Sequence, residues 1–494
     1  MDKFKVQVIL FTDIADTIGY GKYAGTYKIA TEIRKWGYSC QVIDLFSYYD
    51  YEQLIEITDK FLTNKTLLIG FSCTLMEKRI NGQVFNFGRP DQEFIELVKH
   101  IKGKNTQTKI CLGGARMTNK SYWQGVDYVV INKGDKAILA LLDHLKNGSE
   151  LKTNVGTNSV AVVDGNDYFY TQEDFATSSI DYLDQDIIFH GESLPVEVAR
   201  GCIFSCAFCH FDLIGKKIGD WQKAQQHLRN ELIKNYELYG TKHFMFTDEL
   251  INESLEKMHM IHEVALSLPF ELSYTSYARL DLLWRYPEMR ELLLESGAKS
   301  LAFGIETMNP EAGRQIGKGL GKARIKETLN YCAEKWKGKI ITSSNFIVGL
   351  PGETEQSIIQ TVEYLTSKEC PLDVFGFLPL YIRSEEDGRG ASKIDKDPKK
   401  YGYFIEEGKW TNNTMTFKRA QELVKEISSN PIVKNRSKLS AATWIGRIIN
   451  LGYTIEDIFK MLNDDEIARD QLTQQLKEQS LLAKSNYHKK LLQL

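Results

Sequence analysis

Short runs of apolar residues alternate with amphipathic stretches over the first 147 residues. The apolar runs are typical of strands buried on both faces, and the stretches between them have the spacing of helices. This alternation predicts a doubly wound, Rossmann-like parallel sheet with a ligand site beyond the carboxyl ends of its strands. The predicted strands are 6–11, 40–46, 67–72, 110–113 and 126–131, and the predicted helices are 27–35, 54–62, 94–101 and 137–145.

A second series of strand–helix units fills residues 195–385. Polar groups repeatedly follow the carboxyl ends of its strands, which is where barrels of alternating strands and helices place their chemistry. The pattern predicts a second α/β domain with six parallel strands. These predicted strands are 196–199, 243–247, 272–277, 300–303, 340–348 and 373–379.

Two further segments complete the predicted division of the chain. Residues 148–194 form a connector, in which 160–163 and 168–170 flank an Asp-Gly-Asn turn that predicts a hairpin. Residues 386–494 form a mostly helical region that we expect to cover the barrel mouth and to determine substrate specificity. Its predicted helices lie near 417–428, 437–450, 454–462 and 464–490. The predicted domains are therefore 1–147, 148–194, 195–385 and 386–494.

Composition narrows the class of protein. The chain has 494 residues, of which 43% are hydrophobic and 26% charged, with a net charge of −3. That balance is ordinary for a globular protein and provides no global basic field for nucleic acid. No apolar run is long enough to span a membrane, and the start of the chain enters a strand without a signal peptide. With eight cysteines that show no disulfide pattern, these features predict a reducing, cytoplasmic location.

One segment has a local basic excess. Residues 409–450 hold eight basic side chains against two acidic ones. Such an excess is more often a solvated helix face than a binding surface. Nucleic acid is therefore an unfavoured partner, although this segment leaves it open.

The strongest chemical motif is Cys202, Cys206 and Cys209, at the spacing C-x3-C-x2-C. Three closely spaced thiolates can hold one iron–sulfur cluster and leave one of four irons open to another molecule. The alternative is a structural zinc site that lacks its fourth ligand. A zinc ribbon needs a second C-x2-C pair, which this chain does not have. His210 directly follows Cys209, and adjacent residues rarely both reach one tetrahedral metal.

This motif resembles the cysteine loop of the radical SAM superfamily. The resemblance implies a 4Fe–4S cluster on Cys202, Cys206 and Cys209, with S-adenosylmethionine (SAM) on the open iron and Phe208 near the adenine. It further implies a partial (β/α)6 barrel and reductive cleavage of SAM to a 5′-deoxyadenosyl radical, which activates a C–H bond.

Residues at the carboxyl ends of the strands in 195–385 also resemble the family, and the resemblance implies a contact with SAM for each of them. The alternatives are an exposed loop glutamate for the glutamate among them and a structural ion pair for the arginine. The turn at 313–319 is interpreted as a helix start, although its glycines could cradle a phosphate. The implied contacts are Thr247 and Asp248 with the amino group, Arg279 with the carboxylate, Glu306 with the ribose, and Asn345, Gly349 and Leu378 around the adenine.

Two loops of the first domain resemble those of cobalamin-binding domains. They are the serine-containing loop at Ser72 and Leu75 and the double glycine at Gly113 and Gly114, which the resemblance implies as cobalamin contacts. The loop at 12–21 lacks the cobalt-ligating histidine of the family's D-x-H-x-x-G element. The alternative is that these glycines only permit tight turns.

Three other cysteines tempt a comparison with the extra cluster of methylthiotransferases. Cys73 lies at the carboxyl end of its predicted strand, whereas Cys40 and Cys111 lie near the amino ends of theirs. A five-residue strand is about 17 Å long, which is too far for one cluster. They are interpreted as small buried residues.

Together these features predict a cobalamin-dependent radical SAM enzyme that performs C-methylation or a related radical modification of an unidentified substrate. Two alternatives stay open: a cobalamin-independent rearrangement or oxidation, and a non-catalytic iron–sulfur protein that carries electrons. We expect an electron donor such as flavodoxin or ferredoxin as a partner, and no membrane. The sequence identifies no catalytic residue beyond the cofactor contacts.

Overall fold

A computed structural model describes residues 6–14, 19–74, 79–80, 83–84, 92–115, 117, 123–211, 213–382, 392–437, 444–463 and 466–494. These residues form two compact units. The first comprises the described residues up to 190 together with those from 477 to 494. The second comprises the described residues from 191 to 476.

The first unit is built on a seven-stranded sheet in the order β2-β1-β3-β6-β7-β9-β8, and β4 and β5 pair separately. All neighbours in the large sheet are parallel except β8 and β9. Its first five strands follow a doubly wound order that reverses between β1 and β3. The strands are β1 (Val8–Phe11), β2 (Cys40–Ile43), β3 (Leu68–Ser72), β4 (Arg79–Ile80), β5 (Gln83–Val84), β6 (Lys109–Gly113), β7 (Tyr128–Ile131), β8 (Asn154–Val155) and β9 (Ala161–Asp164).

Helices cover both faces of this sheet. The helices are α1 (Ala24–Lys35), α2 (Tyr51–Phe61), α3 (Gln92–Lys104), α4 (Gly134–Asn147) and α5 (Gln172–Ala176). α1 packs against α4, and α2 packs against α3. Every residue of β1 and β2 is buried, as expected for strands covered on both faces. The predicted α/β class is confirmed.

The hairpin predicted within residues 148–194 is wrong. β9 pairs with β8, which precedes it in the chain, and a 3-10 helix at Gly165–Asp167 occupies the predicted turn. Residues 168–170, the predicted second arm, form no strand. The Asp164 carboxylate accepts the Asn166 N–H at 2.9 Å, which turns the chain away from the sheet. The apolar strand β9 instead lies parallel to β7 and extends the sheet.

The second unit contains six parallel strands in sequential order from β10 to β15. The Tyr274 hydroxyl bonds to Ser296 at the end of a helix, and the Phe303 ring stacks at 6.5 Å on Trp336 of another. One face of the strands therefore packs on the helical layer, as in the predicted partial barrel. The strands are β10 (Leu194–Val196), β11 (His243–Phe246), β12 (Ser273–Ala278), β13 (Ala298–Glu306), β14 (Ile341–Val348) and β15 (Val374–Pro379).

The helices of the second unit fall into two groups. α6 to α12 alternate with the strands, and the later ones form the helical region predicted for the end of the chain. The first group is α6 (Gln225–Tyr239), α7 (Leu255–Ser267), α8 (Leu280–Arg285), α9 (Glu288–Glu295), α10 (Pro310–Ile316), α11 (Lys322–Trp336) and α12 (Glu355–Thr366). The second group is α13 (Lys393–Lys396), α14 (Phe417–Ser429), α15 (Pro431–Ser437), α16 (Trp444–Ile449), α17 (Ile455–Asn463) and the start of α18 (Glu466–Gln493), with strands β16 (Phe404–Glu406) and β17 (Lys409–Thr411) before α14. From residue 477 onward, α18 belongs to the first unit.

The end of α18 packs against the first unit, which the sequence pattern did not predict. The Ser480 hydroxyl bonds to both the N–H and the carbonyl of Gly19, each at 3.0 Å. The Tyr487 hydroxyl accepts the Asp44 N–H at 3.2 Å. These contacts fix the loops that follow β1 and β2.

The basic excess at 409–450 is partly paired. Arg419 donates to Glu355 at 2.5 Å and to Glu426 at 2.7 Å, and Lys418 lies 3.8 Å from Glu422. These pairs fit a solvated helix face. Among the described residues, no helix is long and apolar enough to cross a membrane.

Candidate functional site

The cysteine loop follows β10 and closes on itself through main-chain hydrogen bonds. The Cys202 N–H donates to Leu213 O at 3.2 Å, and the Gly215 N–H donates to the carbonyls of Cys202 and Phe204 at 2.8 and 3.0 Å. Gly201 has φ +83°, and a Cβ there would lie 2.6 Å from the Cβ of Leu213. Only glycine fits at that point, so the residue before the first cysteine shapes the loop.

The three thiols on this loop are free cysteines. Burial raises the pKa of the Cys202 thiol and raises that of Cys209 to about 11, and the charge of Lys318 opposes both shifts. Arg279 also lowers the pKa of Cys202. Cysteine binds iron as the thiolate. Cations beside the loop favour the deprotonated cysteines and therefore iron binding. Among the described residues, no three histidine, cysteine or acidic side chains are arranged to hold a single metal ion.

Arg279, at the end of β12, turns toward this loop. Its guanidinium lies 3.7 Å from the centre of the Phe204 ring and donates to Cys206 Sγ at 3.3 Å. Two further N–H groups form a bidentate pair with Asp281, at 2.9 and 2.5 Å. The predicted contact with the SAM carboxylate stays untested, and most donors of this side chain already have partners within the protein.

A second cation, Lys318, lies on the turn that the sequence interpretation treated as structural. Its ammonium donates to Gly304 O at 2.7 Å and lies 3.6 Å from Glu306 Oε1. Burial raises the pKa of Glu306, and Lys318 opposes that shift. Glu306 has φ +66°, and the β13–β14 register shifts between Phe303 and Glu306. A non-glycine residue in the left-handed region at a strand end is the kind of strain that functional sites hold.

The end of β11 carries three polar side chains, two of which the sequence singled out. The Thr247 hydroxyl donates to Val196 O at 3.3 Å. Asp248 is buried, accepts the Val198 N–H at 2.8 Å and pairs with Lys257 at 2.7 Å. Both oxygens of Asp248 are thus engaged within the protein, so its contacts do not favour a role toward the SAM amino group.

Glu249, the third of these side chains, was missed by the sequence interpretation. Its carboxylate accepts the Gly201 N–H at 2.8 Å, immediately before the first cysteine. Burial raises its pKa to about 7, opposed by the Gly201 hydrogen bond. Glu249 therefore ties the end of β11 to the cysteine loop. The sequence signal that could have identified Glu249 is its position directly after Asp248, at the carboxyl end of a predicted strand.

Asn345 and Leu378 lie on neighbouring strands at the same edge of the sheet. Asn345 is opposite Gly376, and Leu378 is opposite Ile347. The Leu378 side chain is 55% exposed, which leaves apolar surface open beside the strand ends. Phe208, on the cysteine loop, is half-buried.

Gly349 has φ +98°, but its missing side chain makes room for another residue of this chain. A Cβ there would lie 2.4 Å from the Trp410 ring. The Tyr403 hydroxyl donates to Gly349 O at 2.7 Å, and the Trp410 indole N–H donates to Leu380 O at 2.8 Å. The expectation that this glycine admits adenine to the backbone is thus not what its surroundings favour, because the indole fills the space.

Glu353 lies in the same turn and bonds back to its first residue, Gly349. It is 3% exposed and accepts the Thr307 hydroxyl at 2.7 Å and the Gly349 N–H at 3.3 Å. Burial raises its pKa to about 7, and these hydrogen bonds oppose the shift. The turn after β14 is thus joined to the residue that follows Glu306.

Residues 392–401, here called the strap, hold the cysteine loop from its outer side. The Lys393 ammonium donates to Ser205 O at 2.7 Å and to its hydroxyl at 2.9 Å. The Ile394 N–H donates to Ala207 O at 3.0 Å. His210 Nε2 lies 2.5 Å from the Asp395 carboxylate, so this ring nitrogen faces an acid of the strap.

The first unit presents a different edge at the ends of β3 and β6. Ser72 pairs with Gly113, and a Cβ at Gly113 would meet no atom of the described residues within 4 Å. Gly114 has φ +113°, and a Cβ there would lie 2.5 Å from the Thr74 hydroxyl, which accepts the Ala115 N–H at 2.8 Å. The edge is open above Gly113 and tight at Gly114. The predicted contact Leu75 lies outside the described residues.

Asp13, which follows β1, joins the segment after this strand to the segment after β2 through hydrogen bonds. Asp13 accepts the Ser47 N–H and the Ile14 N–H, each at 2.7 Å. Burial raises its pKa to about 7, with Lys484 on α18 opposing the shift. Cys40, Cys73 and Cys111 are all buried, in keeping with the interpretation that they are small core residues.

Comparison with known proteins finds a family model that matches part of the chain. The sequence model of the radical SAM superfamily matches residues 196–365, which cover the ends of β10 to β14 in the second unit but not that of β15. An uncharacterized methyltransferase of Pyrococcus horikoshii is 24% identical over 297 residues, which are 57% of this chain and 62% of that protein. The match therefore spans less than two thirds of this relative.

Two solved structures share the fold. The radical SAM methyltransferase TsrM from Kitasatospora setae, with tryptophan substrate and a SAM analogue bound, aligns at a TM-score of 0.62 and 16% identity over 94% of this chain and 99% of that one. The cobalamin-dependent SAM radical enzyme OxsB, with aqua-cobalamin and SAM bound, aligns at a TM-score of 0.56 and 15% identity over 85% of this chain and 61% of that one. At these identities the likeness is one of fold.

Proposed function

The chain carries a domain of the radical SAM superfamily, and we propose that it is a cobalamin-dependent radical SAM enzyme that modifies a C–H position, with methyl transfer as the reaction. The observation that carries this proposal is the set of groups around the cysteine loop. Two cations, Arg279 and Lys318, lie beside three free thiols, and the carboxylate of Glu306 lies 3.6 Å from the second cation. An anionic cluster and a zwitterionic nucleoside need this combination of charges.

The donor set fits a 4Fe–4S cluster, because three reduced cysteines on one loop leave one iron without a protein ligand. Cys202, Cys206 and Cys209 would hold it. When bound, the cluster supplies the electron that cleaves the SAM sulfonium into methionine and a 5′-deoxyadenosyl radical.

The residues of the second unit then have distinct roles toward SAM. Glu306 would accept hydrogen bonds from the ribose hydroxyls. Lys318, which lies 3.6 Å from Glu306, is the cation best placed to pair with the carboxylate of SAM. The exposed Leu378 offers apolar surface for the adenine, with Asn345 on the adjacent strand. Glu249 and the strap keep the loop in place, so that its thiols do not rearrange around the reacting group.

The open edge at Ser72 and Gly113 fits a large neutral ring system better than a charged ligand. No described atom occupies the space where a side chain at Gly113 would lie. Ser72, Gly113 and Gly114 would hold cobalamin there, and when bound this cofactor supplies a transferable methyl group. The same cofactor is named for the TsrM and OxsB structures, which share the fold.

A second candidate is a rearrangement or oxidation without cobalamin. The loop after β1 favours it, since residues 12–21 contain no histidine and Gly19 is fastened to α18 through Ser480. An electron-transfer role without SAM is not favoured by any contact described here.

Anaerobic reconstitution with iron, sulfide and hydroxocobalamin tests the proposal. We expect about four irons per chain, retained corrin absorption, and 5′-deoxyadenosine on reduction with SAM. Cys206→Ala should abolish the nucleoside while keeping the circular dichroism spectrum. Four irons and 5′-deoxyadenosine without retained corrin would support the second candidate, and iron without nucleoside would contradict both.

A further inference from the structure

The cysteine loop reaches the surface of the second unit on the side of the strap. Ser205 lies between the first two cysteines and is exposed, and Cys209 is only half-buried. Phe211, two residues after the third cysteine, is 51% exposed. An electron that enters a cluster on this loop therefore has a short path here, and electron transfer slows steeply with distance.

The strap brings positive charge to one side of this surface. Its sequence from 392 to 400 holds four lysines and two aspartates. All four lysines are exposed. Of the aspartates, Asp395 pairs with His210, and Asp397 accepts the Lys400 N–H at 3.2 Å. Lys393 places the strap lysines beside the cysteine loop, because its ammonium donates to Ser205 of that loop.

Apolar side chains lie on the loop that follows the cysteines. Phe211 and Ile218 are 51% and 61% exposed. Lys217, beside Ile218, is exposed as well, whereas Lys216 is buried against Glu253 at 3.0 Å. Of these side chains, the phenylalanine belongs to the aromatic residues that are enriched at protein interfaces.

We propose that this surface, formed by the strap lysines and Phe211 beside the cysteine loop, is the docking site of an acidic one-electron donor protein of the ferredoxin class. The inference rests on the proposed function, because it requires a cluster on the cysteine loop. One electron passes from the reduced donor to the oxidised cluster, so the donor is oxidised and the cluster reduced by one electron, without proton transfer. Charge complementarity speeds such encounters more than it tightens them.

The test compares two triple charge reversals in the reconstituted protein. Lys396→Glu/Lys399→Glu/Lys400→Glu alters the strap but leaves the Lys393 contact with the cysteine loop. Lys335→Glu/Lys337→Glu/Lys339→Glu is the matched control, because these lysines are equally exposed and lie before β14, at the opposite ends of the strands. Stopped-flow absorbance follows cluster reduction by a reduced, acidic 2Fe–2S ferredoxin, and calorimetry measures ferredoxin binding.

We expect the strap variant to lower the second-order rate constant for ferredoxin at least tenfold at low ionic strength and to weaken binding, with the control variant like wild type. Reduction by the methyl viologen radical cation should not slow in either variant. Added salt should slow wild type toward the strap variant, because it screens the charges. Equal rates and affinities in the two variants, or wild type that the viologen reduces but ferredoxin does not, would overturn the docking site alone. Failure of the viologen to reduce any cluster would overturn the proposed function itself.

Discussion

The two sheets of this protein end in contrasting ways. At the carboxyl ends of β11 to β14, charged side chains are paired with one another around the cysteine loop, as in the bidentate bond of Arg279 to Asp281 and the contact of Lys318 with Glu306. At the ends of β3 and β6 lie Ser72 and Gly113, and no atom of the described residues lies within 4 Å of where a Gly113 Cβ would be. The edge at β11 to β14 holds its charged groups in place through protein contacts before a ligand binds. The edge at β3 and β6 has small residues that leave volume for a ligand.

This contrast has a physical basis. Buried charges need partners in the empty site, because an unpaired charge in the interior is strongly unfavourable. A neutral ring system needs area instead, and small residues provide it without polar groups to satisfy. The predictions below test whether each edge works as this comparison says.

The largest effect is expected for the cysteine loop. Cys206→Ala should reduce iron from about four per chain to less than one, because two thiolates do not hold a cubane cluster against dilution. Iron and sulfide analysis after desalting measures it. Cys332→Ala, at a buried cysteine on α11, is the control and should keep its iron. Equal iron in both variants would place the cluster elsewhere.

At the open edge, Gly113→Leu should lower corrin retention at least tenfold while changing the free energy of unfolding by less than about 1 kcal/mol. The reason is that a Cβ at this position meets no atom of the described residues within 4 Å, so the substitution adds volume on the side where the ligand is proposed. Absorbance after gel filtration measures the corrin. Gly103→Leu on α3, also without an atom within 4 Å, is the matched control. Unchanged corrin in Gly113→Leu would show that cobalamin does not use this edge.

Arg279→Gln should make the reduction potential of the cluster more negative. It removes a positive charge and the donor 3.3 Å from Cys206 Sγ, both of which favour the reduced cluster. A tenfold shift in the electron equilibrium corresponds to about 59 mV for one electron. Potentiometric titration followed by electron paramagnetic resonance measures it, with the exposed Arg285→Gln as control. A potential equal to wild type would leave Arg279 with a packing role only.

The smallest effect concerns pH. Burial raises the pKa of Glu353 to about 7, so the folded chain holds a proton that the unfolded chain releases above its ordinary value of 4.5. Its contribution is therefore favourable below about pH 4.5 and is lost as pH rises to about 7, by at most about 3 kcal/mol. Glu353→Gln should flatten the pH dependence of unfolding in that window, measured by urea titration of the metal-free protein. An unchanged slope would mean that Glu353 is ionised when folded.

Much of this arrangement was predictable from sequence, and the reasons for the gaps are local. Apolar runs predicted the alternation of strands and helices in both α/β units, and the spacing of Cys202, Cys206 and Cys209 predicted the cluster loop. Lys318 was missed because its turn reads as an ordinary helix start, and only folding brings its ammonium to Glu306. Glu249 was missed because the preceding Asp248 fits the family pattern, although Lys257 occupies it.

Long-range contacts account for the rest. The strap's bonds to Ser205 and Ala207 join residues nearly two hundred positions apart, and no periodicity in the chain signals them. The same is true of Ser480, which reaches Gly19 from the other end of the chain. The tail of α18 is too mixed in character to reveal which surface it covers.

The central claim is that the cysteine loop holds a 4Fe–4S cluster with an iron open to SAM. Electron paramagnetic resonance of the reconstituted, reduced protein, recorded with and without SAM, tests it most directly. The account predicts the signal of a reduced 4Fe–4S cluster whose g values shift when SAM is added. The absence of such a signal, or a signal that SAM leaves unchanged, would contradict it.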